Sequence, residues 1–255
     1  MTYLLRDIST MTVRGLRLVS RDLDAMITAV VLPVIILLMF VLVFGGAMDT
    51  GTGYVNYVTP GVILLTAGFG AASTAASVEH DMSSGMVERL RSMPVTAWTV
   101  LSGHVAASLV KNLVTTAIVF GVSILLGFRP EASLLGWLAA VGMILLFVGW
   151  VTWLAALVGV LVRSPEAAAG FSFFVMFLPY VSSAFVPVET LPGWLRGFAE
   201  HQPVTPVIET VRGLLAGDVA GIADPTGSAV LAVVWCLGLG LLFAVAAGLA
   251  FRARR

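Results

Sequence analysis

The chain has 255 residues, 59% of them hydrophobic and only 11% charged, with a formal net charge of zero and a mean hydropathy of +1.02. Soluble domains carry about 25% charged residues, so this composition excludes a water-soluble globular protein. No nucleic-acid partner is expected, and the neutral balance hides an uneven distribution of charge.

Residues 1–24 are amphipathic. At about 100° per residue, Leu5, Ile8, Leu16, Val19 and Leu23 share one arc, while Arg6, Arg14, Arg17 and Arg21 gather opposite. That pattern predicts a helix lying in the membrane interface. The following run, Ala25 to Phe44, is uncharged and long enough to cross a hydrocarbon core of about 30 Å, which needs about 20 helical residues. It is too long, and starts too late, for a cleaved signal peptide. Five further apolar segments follow. The expected architecture is an all-α integral membrane protein in a single domain, 1–255, with six transmembrane helices at 25–45, 57–79, 97–127, 136–162, 167–187 and 228–251.

With the N-terminus inside, the inner segments hold Arg6, Arg14, Arg17, Arg21, Arg89, Arg91, Arg163, Arg252, Arg254 and Arg255. The outer segments hold only Arg129, Arg196 and Arg212. This positive-inside bias places both termini in the cytoplasm. The third segment is longer than a span requires. His104 and Lys111 lie seven residues apart on one of its faces, and Lys111 is expected to snorkel towards the headgroups. Pro33 and Pro179, within spans, are expected to kink them.

Two connections carry more than linkage. The cytoplasmic one, 80–96, predicts a short helix from Gly85 to Met93, with Met86 and Leu90 on one face, Glu88 and Arg91 on another, and Pro94 ending it. The outer one, 188–227, predicts a re-entrant or interfacial helical hairpin. Thr190 would cap a helix through Phe198. Thr205 would cap a second, with Pro206 at its first position and Gly217 just past its end.

Absences narrow the function. No G-x-x-x-x-G-K-[ST] phosphate loop occurs, and the only lysine, Lys111, lies in a span. No His-Glu-x-x-His or Gly-x-Ser-x-Gly occurs. Glu79, Glu131, Glu166 and Glu189 sit at span ends, and no acid lies mid-span, where ion-coupled pumps commonly place one. The single Cys236 permits no intrachain disulfide, and His80, His104 and His201 are too scattered for a metal. No metal and no enzymatic site of its own is expected; the energy comes from a partner.

Residues 85–110, GMVERLRSMPVTAWTVLSGHVAASLV, resemble the first cytoplasmic loop of ABC type-2 exporter membrane subunits, roughly Gly-x-x-(Glu/Asp)-Arg-(Leu/Phe)-x-x-x-Pro. The stretch Ser164 to Gly217, and in it AEHQPVTP (Ala199 to Pro206), is similar to the daunorubicin/doxorubicin-resistance permease branch. The resemblance implies a bacterial inner-membrane permease subunit, two copies of which join two separate ATPase subunits that bind ATP and Mg. It implies that helix 85–93 couples to the ATPase through Met86, Glu88, Arg89, Leu90 and Arg91; the alternative is that these charges decorate a solvated loop. Expected cargo is a drug or amphipathic natural product. Lipid-linked or polysaccharide cargo is the alternative within the class, and an ion-coupled transporter, a channel or a membrane scaffold outside it.

The candidate substrate path takes Ser73 and Ser77, with Thr74, from the second span and Phe174, Phe177 and Tyr180 from the fifth, where Phe171 and Met176 extend the surface. Flat hydrophobic cargo would stack on the rings; lipid contact or packing is the alternative. The serines would line a polar path or bond back to their own helix. Gly68, Ala72, Ala75, Ala76, Ala155 and Gly159 permit close helix contact, within one chain or between copies. Glu189, Glu200, His201 and Glu209 form a loose acidic group, which Pro203 and Pro206 mark as a rigid turn rather than a metal or acid–base site.

Overall fold

The computed structural model describes residues 9–17, 23–47, 53–87, 97–217, 222 and 224–254, and every regular element among them is helical. Helix α1 (9–17) precedes α2 (Leu23–Met39), which widens into a π-helical turn over Phe40–Phe44. Then come α3 (Tyr54–Ser83), α4 (Ala97–Leu125), α5 (Leu134–Leu161) and α6 (Pro165–Phe177), the last tightening into a 3-10 turn over Leu178–Val181. Two short helices, α7 (Gly193–His201) and α8 (Val204–Ala216), form the hairpin before the closing helix α9 (Pro225–Ala253).

Local chemistry sets these boundaries. Ser133 caps α5 by accepting from the Gly136 amide at 3.2 Å, and Ser164 caps α6 through the Ala167 amide at 3.3 Å. Asp224 caps α9 through Gly227 at 2.8 Å. Pro165 and Pro225 occupy first-turn positions, where the missing N–H costs nothing. The α8 C-cap is Gly217, at φ +58°, a backbone region open to glycine.

Four helical stretches, Tyr54–Ser83, Trp98–Leu125, Leu134–Leu161 and Pro225–Ala253, are long and apolar enough to cross a membrane; Ala29–Phe44 and Glu166–Val181 are shorter apolar stretches. The fifth expected span, 167–187, is therefore shortened. Its α-helix stops at Phe177, Pro179 sits in the 3-10 turn, and the chain is extended at Ser182. Proline lacks the N–H that would continue the ladder.

The long helices alternate direction and so define two ends. At the hairpin end, Tyr54 Oη donates to the Phe185 carbonyl at 2.9 Å, and the Glu131 amide donates to the Leu215 carbonyl at 3.0 Å. At the opposite, terminal end, Arg254 donates to the Val160 carbonyl and, at 2.9 Å, to that of Val162. Helix α3 is central. In its most apolar window 72% is buried inside the protein, against 11% for α9, whose Val234, Leu237, Leu241 and Leu249 face outward. The main core joins α3, α5 and α8 through residues such as Val62, Leu65, Phe147, Val151, Val207 and Ile208. A second cluster at the terminal end joins Val78, Val87, Leu101, Val160 and Phe251.

Two of the small residues make close contacts within the chain. A β-carbon on Gly159 would stand 2.5 Å from the Ala75 carbonyl oxygen, so α3 and α5 meet backbone to backbone there. Gly68 likewise receives Met176 of α6. Two expected caps are corrected. Thr190 lies in a 3-10 turn and its hydroxyl donates to Pro187, while α7 begins at Gly193. Helix α8 begins at Val204, and Thr205 points inward rather than capping.

Candidate functional site

The terminal-end junction is built from three elements. Helix α1 lies hard against α4: a β-carbon on Gly15 would meet Ala107 Cβ at 2.8 Å, and one on Gly103 would overlap Met11. This seating aims Arg14 at the last turn of α3. There its guanidinium donates two hydrogen bonds to Asp81, Nη1 to Oδ2 at 2.8 Å and Nη2 to Oδ1 at 2.9 Å. From α4, His104 Nε2 stands 3.1 Å from the same Oδ2. Asp81 is 5% exposed, so its charge is held by partners rather than by solvent. The amphipathic pattern placed Arg14 on the polar side of an interfacial helix; instead it binds the bundle.

Helix α3 ends two residues beyond Asp81, at Ser83. Ser84 closes the last turn through its amide to the His80 carbonyl at 2.9 Å, and Gly85 turns the chain at φ +71°. Met86 and Val87 then start a new helical turn and pack on the terminal-end cluster. Glu88, Arg89, Leu90 and Arg91 lie outside the described residues. The described part fixes where that segment departs: directly from the Arg14–Asp81–His104 junction, returning into α4.

A polar seam crosses the bundle one level deeper. Lys111 Nζ of α4 donates to Ser73 Oγ of α3 at 2.7 Å, and Ser73 in turn donates to the Gly70 carbonyl at 2.9 Å. The Asn112 amide covers Gly70, whose missing side chain makes room for it. Asn112 Nδ2 donates to the Ser108 carbonyl at 2.9 Å, and Ser108 Oγ lies 3.4 Å from Thr152 Oγ1 of α5. The expectation that Lys111 reaches for headgroups is thus corrected to a sideways bond onto α3. Ser73 bonds back to its own helix, one of the two alternatives for it, while accepting from Lys111. Thr74 bonds back to Gly70 at 3.0 Å, and Ser77 is exposed.

On α6 the aromatic surface divides. Phe171 packs into the core, whereas Phe174 and Phe177 are 67% and 64% exposed. Tyr180, partly exposed, links outward to inward: its ring lies 6.2 Å from Phe177 and stacks on Phe185 at 5.0 Å. Phe185 stacks in turn on Phe40 at 4.3 Å. The serine and aromatic sets therefore occupy neighbouring helices, α3 and α6, joined at Gly68 and Met176.

At the hairpin end, Arg212, one of the three arginines of the outer segments, is buried. Its guanidinium lies 3.8 Å over the Tyr57 ring and donates to the carbonyls of Tyr57 at 3.0 Å and Ser183 at 2.7 Å. The acidic group disperses. Glu200 pairs with Arg196 at 2.7 Å, Glu209 accepts from Ser228 of α9 at 2.8 Å, and His201 Nδ1 meets the Gly197 carbonyl at 3.0 Å. Burial pushes the Glu209 carboxyl above the usual range, against the Ser228 bond. Among the described residues no three His, Cys, Asp or Glu side chains form a metal-binding group.

Asp81 and Arg212 are the residues the sequence pattern missed. Asp81 has no basic residue three or four positions away on its own helix, which signals a partner elsewhere. Arg212 has Glu209 at i−3, and that spacing suggests a surface pair that does not form.

Long apolar helices, a buried polar seam and a charged junction at one end define a multi-pass helical membrane protein. The sequence model of the ABC-2 type transporter family matches residues 6–216, and the chain belongs to that family. It is 32% identical over 232 residues to the daunorubicin resistance ABC transporter permease protein DrrB1 of Streptomyces coeruleorubidus, covering 90% of this chain and 79% of that one. It is 25% identical over 236 residues, 91% of this chain and 83% of the other, to the probable doxorubicin resistance ABC transporter permease protein DrrC of Mycobacterium tuberculosis (strain ATCC 25618 / H37Rv). The daunorubicin/doxorubicin-resistance permease branch is where it falls.

Proposed function

We propose that this chain is the membrane subunit of an ATP-driven exporter of drugs or amphipathic natural products. Two copies work with separate ATPase chains in a bacterial inner membrane, with both termini in the cytoplasm. ATP and Mg are bound by the ATPase, and this chain supplies the path and the lever. The Arg14–Asp81–His104 junction carries the reading. It ties α1, α3 and α4 together at the point where the 85–96 segment leaves and returns, so a push on that segment moves three elements as one body.

In this reading Met86 and Leu90 fill a groove on the ATPase, and Glu88, Arg89 and Arg91 make ion pairs with it. Cargo stacks on Phe174, Phe177 and Tyr180 and passes the hydroxyls of Ser73 and Ser77. The test is reconstitution into liposomes. With an ATPase partner, a flat amphipathic drug should stimulate ATP hydrolysis and be transported. Transport by the isolated chain, driven by an ion gradient, would overturn the reading.

A further inference from the structure

The end of α6 is held in an unusual way. A continued helix would pair the Leu178 carbonyl with the Ser182 amide, the Val181 carbonyl with the Phe185 amide, and the Ser183 amide with the Pro179 carbonyl. Instead these groups are taken by side chains of the hairpin. Gln202 Nε2 donates to the Leu178 and Val181 carbonyls at 3.2 and 2.7 Å. Thr205 Oγ1 accepts from the Ser183 amide at 3.3 Å. Arg212 Nη2 donates to the Ser183 carbonyl at 2.7 Å. All three side chains are buried. They come from the α7–α8 corner and from α8, and two of them lie in the run AEHQPVT from Ala199 to Thr205.

We infer that Gln202, Thr205 and Arg212 form a latch on residues 178–183, which holds α6 in a shortened state and positions Phe177 and Tyr180 at the hairpin end of the path. Release lets the apolar stretch continue as a helix, kinked at Pro179, towards Pro187. Helix 165–186 would then have about the 20 residues needed to cross a bilayer. The two rings ride on the break, so moving from a 3-10 turn towards α-helix rotates Tyr180 relative to Phe177, from about 120° to 100° per residue. The latched state is poised rather than locked: Gln202 Oε1 and Ser183 Oγ are buried without a hydrogen-bond partner among the described residues, so the closed arrangement leaves acceptors unsatisfied. The gating role of the latch rests on the exporter reading; the latch itself does not.

The test uses the full-length chain in lipid nanodiscs. Cys236→Ser removes the native thiol, and Ser183→Cys places a probe at a buried position whose hydroxyl bonds nothing among the described residues. Labelling by a bulky maleimide should be slow. Thr205→Val and Gln202→Leu should each raise its rate about fivefold or more, the ratio that one lost hydrogen bond supports. Thr205→Ser, which keeps the hydroxyl, should restore slow labelling. In chains that keep the native Cys236, which is buried in α9, and carry no Ser183→Cys, its labelling should stay equally slow with and without Thr205→Val or Gln202→Leu, which excludes general unfolding. Unchanged rates in both Thr205→Val and Gln202→Leu would overturn the latch. Export by the complex is read separately: faster labelling without any export sinks the exporter reading alone, and export with unchanged labelling sinks the latch alone.

Discussion

Arg14 and Asp81, 67 positions apart, face each other through two parallel hydrogen bonds of 2.8 and 2.9 Å. The planar fork of arginine matches a carboxylate in this geometry, and lysine cannot reproduce it. The pair ties α1 to α3, so in the proposed mechanism the two helices move together. Arg14→Ala should lower stability by about 2 kcal/mol, the range for a hydrogen-bonded charged group, and Arg14→Lys should recover only part of it. In the reconstituted complex both should leave ATP hydrolysis running while transport falls. Unchanged coupling in Arg14→Ala would remove the junction from the mechanism.

The 85–93 segment makes the second prediction. Glu88→Ala combined with Arg91→Ala should weaken copurification of the ATPase chain, or leave it bound and uncoupled. The chain's own melting temperature should hold if these side chains serve the ATPase contact rather than this chain's fold. Pull-down yield and hydrolysis per transported molecule read the two outcomes.

Phe174 and Phe177 are largely exposed, so replacing each with alanine should hardly change stability. If cargo stacks on them, the apparent affinity for flat aromatic drugs should weaken by roughly two- to tenfold, the span of one aromatic contact. An equal loss for aliphatic and aromatic cargo would assign these rings to lipid contact instead.

Gly159 gives a purely structural prediction. Its missing side chain admits the Ala75 carbonyl and Val78, so Gly159→Ala should cost about 1–3 kcal/mol by overpacking. The neighbouring Gly149, with nothing within 4 Å of its would-be β-carbon, should accept alanine without loss. Thermal unfolding of the two variants makes the comparison.

Glu209 gives the pH dependence. Burial raises its pKa in the folded chain, so the native state holds this proton more tightly than the unfolded state. Stability from this group is therefore full below the ordinary glutamate range and falls as pH rises through the elevated value. Glu209→Gln keeps an acceptor for Ser228 and removes the charge. It should melt higher than wild type at neutral pH, and the difference should vanish in acid. A constant difference across the titration would point to packing rather than protonation.

The apolar helices were legible because periodicity and length are local properties. Ala25–Phe44, Leu134–Leu161 and Pro225–Ala253 emerge close to where the residues place them, and Gly217 ends α8 as its position suggested. What failed to show was side-chain pairing between elements distant in sequence. Asp81 reads as one more acid at a span end until Arg14 and His104 arrive from other helices. Thr205 reads as a cap because Thr-Pro is a common helix start, yet the Ser183 amide claims its hydroxyl. The early stop of α6 was hidden for the same reason: residues 178–185 are apolar enough to span, Pro179 alone would only kink such a helix, and the hairpin's polar side chains hold the chain beyond it out of the helix.

Arg212 bears on how the molecule is made. Its acceptors are the main-chain oxygens of Tyr57 and Ser183 and the face of one aromatic ring, groups synthesised well before it. Until both earlier segments have been delivered and brought side by side, this cation has nowhere apolar to go. The hairpin therefore reaches its buried geometry only where Tyr57 of α3 and Ser183 stand side by side.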